Sequence, residues 1–279
     1  MTPVQLVPRS VAKVWGRRQP GFGFAQAASG DDPIGEIWFE EPDHRSGALL
    51  VKYLFTSERL SVQVHPDDAE ARALGHPRGK DECWVILKAE PGAQIGLGLK
   101  AVVAIDTLRL AALDGTIETM LDWREVSPGD VYYLPAGTIH AIGAGITLIE
   151  IQQNVDLTYR MYDYGRPRAL HLEAALRVAR PEPWQALTQP YVLADARRIV
   201  AEGHKFVVEQ WSGARAGTLA PGTAAWIVPL SGHGRIGDAP VEPGQAWLAD
   251  EQHSLDYNGE LLVAYPGSKV TEGLWVSSR

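Results

Sequence analysis

The sequence predicts an all-β protein, two small barrels in series with short connecting helices. Three observations carry that prediction. Short apolar, aromatic and β-branched runs recur along the chain, among them LLVKYLFT at 49–56, ECWVIL at 82–87, KFVVEQW at 205–211 and ELLVAYPG at 260–267, and such runs suit sheet strands. Helix signals are confined to a few short stretches. The polar residues able to share one ligand are spread over three strands, and only a sheet curved on itself brings such strands together.

Residues 1–59 read as strands and loops leading into the first barrel. PIGEIWFEEP, at 33–42, alternates Ile34, Glu36, Trp38 and Glu40 against Gly35, Ile37, Phe39 and Glu41, so pattern alone turns neither face inward. Trp15, Gly16, Trp38 and Gly35 read as core aromatics and turn glycines, with Glu36 a possible pocket-lining carboxylate. LLVKYLFT is a strand. In LSVQVHP, at 60–66, the apolar Leu60, Val62 and Val64 alternate with Ser61, Gln63 and His65, so on a strand the polar three leave one face.

PDDAEARALG starts with proline and two aspartates and stops at glycine, the signature of a short helix in which Asp67 and Asp68 are N-terminal charges. Glu82 opens the next strand, and alternation puts Glu82, Trp84 and Ile86 on one face. A strand extended back to Lys80 carries that lysine to the same side. Residues 101–126 contain one short helix or a strand–loop–helix piece. In SPGDVYYLPAGTIH, at 127–140, Pro135 and Gly137 force a tight bend before a strand restarts at Ala141. A turn at Gly143–Gly145 leads to a strand with Leu148, Glu150 and Gln152 on one face. An ionised carboxylate buried alone costs several kcal/mol, so Glu150 between Ile149 and Ile151 implies a partner or a pocket.

Gln63, His65, Glu82 and His140 then form a credible set of ligands for one borderline divalent cation: two imidazoles, a carboxylate and an amide oxygen. Zinc suits this set, while Fe(II), Mn(II) and Co(II) are compatible with it.

GRPRALHLEAALRVARPEPW, at 165–184, changes period. Leu170, Leu172, Ala175, Leu176 and Val178 give a short amphipathic helix ended by Pro181 and Pro183. The expected division is a metal-binding barrel at 1–165, a helical linker at 166–189 and a second, degenerate barrel at 190–279. Setting AAWIVPL against ECWVIL puts Ala224 opposite Glu82, and counting from Gly244 as from Gly129 puts Leu255 opposite His140. Neither residue binds metal, so the second barrel is expected to be a structural partner. His171 is expected at the surface or an interface, and His233 and His253 in polar, solvent-facing loops.

Lys plus Arg number 26 against 34 Asp plus Glu, an acidic balance that argues against general nucleic-acid binding and confines any anion site to a local basic pocket. Cys83 is the only cysteine, so no intrachain disulfide forms. No stretch has the length of a signal-peptide core or a membrane span, which makes a cytoplasmic monomer or homodimer without membrane contact the expectation.

Gly129, Pro135, Gly137 and His140 match the second cupin motif, and Gln63, His65 and Glu82 stand where the first motif has paired histidines and a closely following glutamate. Together with LSVQVHPDD, GKDECW, PAGTIHAIG and EIQQNVDLTYRMYDYGR, this pattern resembles type I phosphomannose isomerase in its short bacterial form. The resemblance runs from about Val14 to Arg168 and implies two cupin-type jelly-roll barrels, one zinc ion per chain, and interconversion of mannose 6-phosphate and fructose 6-phosphate through a cis-enediol. It implies catalytic roles for Lys80, Glu150 and Arg160, and phosphate contacts from Ser61, Arg160 and Arg166. An isomerase of another aldose or aldose phosphate, and a non-catalytic sugar-binding or regulatory cupin, are the alternatives. Lys80, Glu150 and Arg160 all being present favours the enzyme.

Overall fold

The computed structural model describes residues 3–24, 32–42, 47–193, 195–220, 222 and 224–278. Strand far outweighs helix, and the strands form three sheets whose ladders run antiparallel. A six-stranded sheet orders Val7–Arg17, Ile34–Glu40, Leu49–Phe55, Ile146–Gln153, Glu82–Ala89 and Val131–Leu134 side by side. A five-stranded sheet orders Tyr159–Tyr162, Val62–Val64, His140–Ile142, Gln94–Leu99 and Leu121–Glu125. The C-terminal third builds a nine-stranded sheet around Phe206–Leu219, Ala225–Ile236 and His253–Pro266. Val4–Gln5 pairs with Trp247–Ala249 of that third sheet, so the chain's start is tied to its last third.

Period-two alternation explains how the layers stack. One face of the six-stranded sheet sends Leu54, Trp84, Ile86 and Leu148 into a core shared with Leu60, Ile95, Leu97 and Ile142 of the five-stranded side. Its other face sends Ile37, Phe39, Val51, Tyr53, Cys83, Val85, Ile149 and Ile151 against Val208, Trp226, Val228 and Leu262 of the nine-stranded sheet. The central strands are therefore buried on both faces over most of their length, and Lys52, Glu82 and Glu150 within them are buried too. The undecided strand at 34–40 is resolved by this packing: Ile37 and Phe39 face the nine-stranded sheet, and Glu36 and Trp38 face a cavity.

The short helix forms at Asp68–Ala73, closed by a reciprocal capping box between Asp67 and Glu70. Asp68 does more than charge the first turn. It accepts from Gly79 N–H (2.8 Å), Gln153 Nε2 (3.0 Å) and Lys205 Nζ (2.8 Å), joining the helix to the last third of the chain. Residues 101–126 hold helices Ile105–Asp114 and Ile117–Met120 before the strand Leu121–Glu125. The helix expected in 165–184 spans Leu172–Val178 and packs with Leu108, Ala111 and Met161 on the outside of the five-stranded sheet. His253 departs from expectation. It opens a strand opposite Leu219 and is 5% exposed, because the extended chain there continues into the sheet instead of looping out. His233 is exposed, as expected.

Candidate metal centre and active site

Two rows of side chains meet at one end of the shared interior. In the five-stranded sheet, Gln63 stands between His140 on one neighbouring strand and Arg160 on the other. In the six-stranded sheet, Glu150 stands between Lys52 and Trp84, and Gln152 between Leu50 and Glu82. The bend that aims His140 inward follows from its sequence. Gly137 adopts φ 87°, a left-handed conformation natural to glycine. Thr138 N–H closes the turn on Pro135 C=O, and Gly137 N–H bonds to His65 C=O at 2.8 Å. Buried Asp81 holds the same turn, accepting from Ala136 N–H (2.9 Å) and from Tyr133 Oη (2.8 Å). Burial raises the Asp81 pKa, with those two donors acting against it.

His65, Glu82 and His140 converge. Glu82 Oε2 lies 3.3 Å from His65 Nε2, and Glu82 Oε1 lies 3.2 Å from His140 Nε2. Each imidazole directs Nδ1 at a backbone carbonyl, His65 at Leu157 (3.0 Å) and His140 at Thr138 (2.9 Å). That arrangement protonates Nδ1 and leaves each Nε2 lone pair facing Glu82. Burial pushes His65 down to about 3, with the Lys80 charge adding to the effect, and burial lowers His140 as well. Both rings are therefore neutral at neutral pH. Burial disfavours the charged Glu82 carboxylate, yet the neighbouring Lys80 ammonium, the largest opposing influence, helps hold its pKa well below the usual range.

The Glu82 carboxylate is 0% exposed, and neither of its oxygens accepts a well-directed hydrogen bond. Lys80 Nζ forms an ion pair with it at 3.0 Å and lies 3.2 Å from His65 Nε2. A fully buried carboxylate with spare lone pairs, faced by two deprotonated imidazole nitrogens, has the donor set and protonation states that a divalent cation takes. Gln63 presents its amide to the same place, with Nε2 3.2 Å from His140 Nε2 and Oε1 3.3 Å from Ser61 Oγ. The two ends of an amide have the same shape, and a half-turn of this one exchanges oxygen for nitrogen.

A cavity of about 300 Å³ opens beside the cluster, and Ser61, Gln63, Lys80, Glu150 and Arg160 all line it. Gln63 and Lys80 thus touch both the cavity and the His–Glu–His group. Of the residues singled out from sequence, Arg166 alone is directed elsewhere, to Glu58 Oε2 (2.7 Å), Arg59 C=O (2.9 Å) and Asp163. Sequence reasoning missed Lys13, Trp38, Lys52, Asp156, Thr158 and Arg168, which also line the cavity. Five basic side chains there face three acidic ones, a local reversal of the chain's acidic balance.

Lys52 is the largest omission. Its ammonium donates to Glu150 Oε1 at 3.1 Å and to Gln152, and lies 4.3 Å from the centre of the Trp38 ring. Glu150 also accepts from Trp84 Nε1 at 3.2 Å, with Lys80 Nζ at 4.0 Å. Glu36 pairs with Lys13 and Trp38. Burial works against its charge, but Lys52 and Lys13 prevail and lower its pKa. A lysine interrupting an apolar strand carries the same signal that singled out Glu150.

Antiparallel sheets around a buried His–Glu–His group that could hold a metal ion, at the edge of a polar cavity, match the cupin fold. No protein-family model matches the chain. It is 43% identical over 136 residues to the mannose-6-phosphate isomerase of Streptococcus mutans, an alignment covering 47% of this chain and 43% of the relative. It is 36% identical over 220 residues to the "probable mannose-6-phosphate isomerase GmuF" of Bacillus subtilis, covering 73% of this chain and 70% of that one. The crystal structure of a mannose 6-phosphate isomerase from Bacillus subtilis superposes with a TM-score of 0.82 at 26% identity, over 95% of this chain and 100% of the other. The chain belongs to the mannose-6-phosphate isomerase family.

Proposed function

We propose that this chain interconverts mannose 6-phosphate and fructose 6-phosphate, using one zinc ion held by Gln63, His65, Glu82 and His140. The observation that carries the proposal is the fully buried, unsatisfied Glu82 carboxylate between two neutral imidazoles, beside a cavity dominated by positive charge. Aldose–ketose isomerisation moves a proton between C1 and C2 through an enediol, so it needs a base near both carbons and positive charge near both oxygens. A divalent ion bound at this site supplies Lewis-acid charge to those oxygens. Glu150 lines the cavity and is held by Lys52 and Trp84, a position suited to taking the proton from one carbon and returning it to the other. Lys80, which also lines the cavity, is the second catalytic candidate. Its ammonium, whose pKa is raised by Glu82 and Glu150 against the effect of burial, also suits it to stabilising developing negative charge. Arg160 supplies a guanidinium on the opposite wall, and Ser61 a hydroxyl that can turn from Gln63 to a phosphate oxygen.

We read the six- and five-stranded sheets as the two walls of one jelly-roll barrel and the nine-stranded sheet as a second, metal-free one. The division at 1–165, 166–189 and 190–279 is kept in outline, with the 172–178 helix counted with the first barrel and Val4–Gln5 with the second.

Formation of fructose 6-phosphate followed in a coupled assay, with and without a chelator, tests the reaction and its metal. Glu150→Gln is expected to lower kcat by at least about 10³-fold while elemental analysis still finds about one zinc per chain. Undiminished turnover in that variant removes Glu150 from proton transfer. Metal retained with no turnover on any hexose phosphate makes the chain a binding protein.

A further inference from the structure

We propose that Arg168, held in place by Asp163, grips the substrate's phosphate together with Arg160, in the role that the sequence pattern gives to Arg166. The inference rests on the sugar-phosphate reading above and names the residue that recognises the phosphate.

The turn after the strand Tyr159–Tyr162 carries the geometry. Tyr164 and Gly165 both take left-handed φ values, 54° and 76°, which reverse the chain immediately after Asp163. Arg166 N–H then bonds to Asp163 C=O (3.0 Å) and Arg168 N–H to Arg166 C=O (2.8 Å). The reversal brings Arg168 back over Asp163, which is 2% exposed. Arg168 Nε donates to Asp163 Oδ2 and Nη2 to Asp163 Oδ1, each at 2.6 Å, a two-pronged pair with low-entropy geometry. The same stretch fixes Arg160. Its Nη1 donates to Ala169 C=O (2.8 Å), its N–H to His171 Nδ1 (3.2 Å), and its carbonyl accepts from His171 N–H (2.8 Å).

Only two of the five guanidinium N–H groups of Arg168 are used on Asp163, and the side chain lines the cavity. Arg160 lines it as well, and its buried Nε has no hydrogen-bond partner among the described residues. Two guanidinium groups at one cavity wall, with one buried carboxylate between them, leave net positive charge that a phosphate monoester dianion neutralises. Burial, and after it the charge of Arg168, lowers the Arg160 pKa. Arg166 shares Asp163 Oδ1 (3.2 Å) but spends its other contacts on Glu58 and Arg59 C=O and does not line the cavity. Asp163 is therefore a positioning residue, and Arg168 a substrate contact.

Two measurements test this, steady-state kinetics with mannose 6-phosphate and calorimetric binding of inorganic phosphate to the zinc-loaded protein. In Arg168→Gln, KM and the phosphate dissociation constant are both expected to rise roughly 10- to 100-fold, the loss of one or two charge-assisted hydrogen bonds, with kcat and zinc content held. Asp163→Asn is expected to raise the same two constants, and Arg168→Lys to recover only part of the loss because a lysine lacks the fork. A purely structural pair would move the melting temperature and leave both constants alone, overturning the proposal. It is overturned equally if Arg166→Gln raises both constants and Arg168→Gln does not. Phosphate binding reads out without turnover, so a wild-type protein inactive on mannose 6-phosphate would sink the isomerase reading while still reporting whether Arg168 holds phosphate. If Arg168→Gln does not fold, Arg168→Lys alone carries the test, and unchanged constants in it overturn the proposal.

Discussion

Replacing Lys52 by methionine keeps most of its stem and removes its charge. The side chains of Lys52 and Glu150 are 5% and 6% exposed, so solvent screens their pair little. Removing one partner of a buried ion pair costs about 3–5 kcal/mol. Trp84 Nε1 and the Lys80 ammonium at 4.0 Å remain to Glu150, and the cavity admits water, so the lower end, about 3 kcal/mol, is expected. Glu150→Gln likewise strands Lys52, which keeps Gln152 and the Trp38 ring. In the double variant neither charge is left alone, and its loss should fall short of the sum of the single losses by about 2–3 kcal/mol. Urea and thermal unfolding of wild type, both single variants and the double variant, at matched zinc content because bound metal adds its own stability, give the coupling directly. A drop of about 3 kcal/mol corresponds to a melting shift of roughly 6–12 °C for a domain of ordinary large size. Losses that add to within about 0.5 kcal/mol would refute the view that the interior is dry enough for this pair to matter.

Acid should weaken the junction between the first two sheets and the last third through Asp68. Burial opposes its charge, but Lys205, Gly79 N–H and Gln153 hold its pKa at about 2, against an ordinary 3.8. A depressed carboxyl contributes stability above its unfolded pKa and loses it as pH falls from about 4 to about 2, here roughly 1–2 kcal/mol after discounting for partial exposure. The urea midpoint of Asp68→Asn should change less over that range than wild type, and parallel curves would exclude the contribution. Cys83 is 0% exposed, and burial raises its thiol pKa. Under native conditions it should react with an aromatic disulfide reagent no faster than the protein unfolds, and prompt labelling would show that the sheet interface opens locally.

The sheet faces that carry the site were legible because their strands alternate strictly. Glu82, Trp84 and Ile86 share one face, as do Leu148, Glu150 and Gln152, and the paired register puts Glu150 against Trp84 and Gln152 against Glu82. The strand at 34–40 resisted the same treatment. Both its faces are buried and both carry bulky groups, so hydrophobicity does not separate the cavity side from the sheet interface. Arg168 was illegible for a different reason. Its arrival at the cavity depends on two successive left-handed residues, Tyr164 and Gly165, and counting along the chain from Arg160 points equally well to Arg166.

A charge inside an apolar strand signals burial with a partner, but it does not by itself signal chemistry. Glu209 in KFVVEQW has the same appearance as Glu150 and is also buried. It accepts from Tyr265 Oη (2.6 Å), Trp211 Nε1 (2.7 Å) and Arg197 Nη1 (3.2 Å), so its lone pairs are occupied inside the last third of the chain. Burial still raises its pKa against these donors, a sign that its cost is only partly offset. Glu82 is the opposite case, equally buried, held ionised by its neighbours and left without a directed hydrogen bond. The difference lies in the residues that surround each carboxylate. Tyrosine, tryptophan and arginine saturate one internally, while two imidazoles with their Nε2 lone pairs turned inward leave the other waiting for a cation. Charge pattern in the strands locates both carboxylates, and the count of unsatisfied lone pairs separates the internally saturated one from the one with room for a cation.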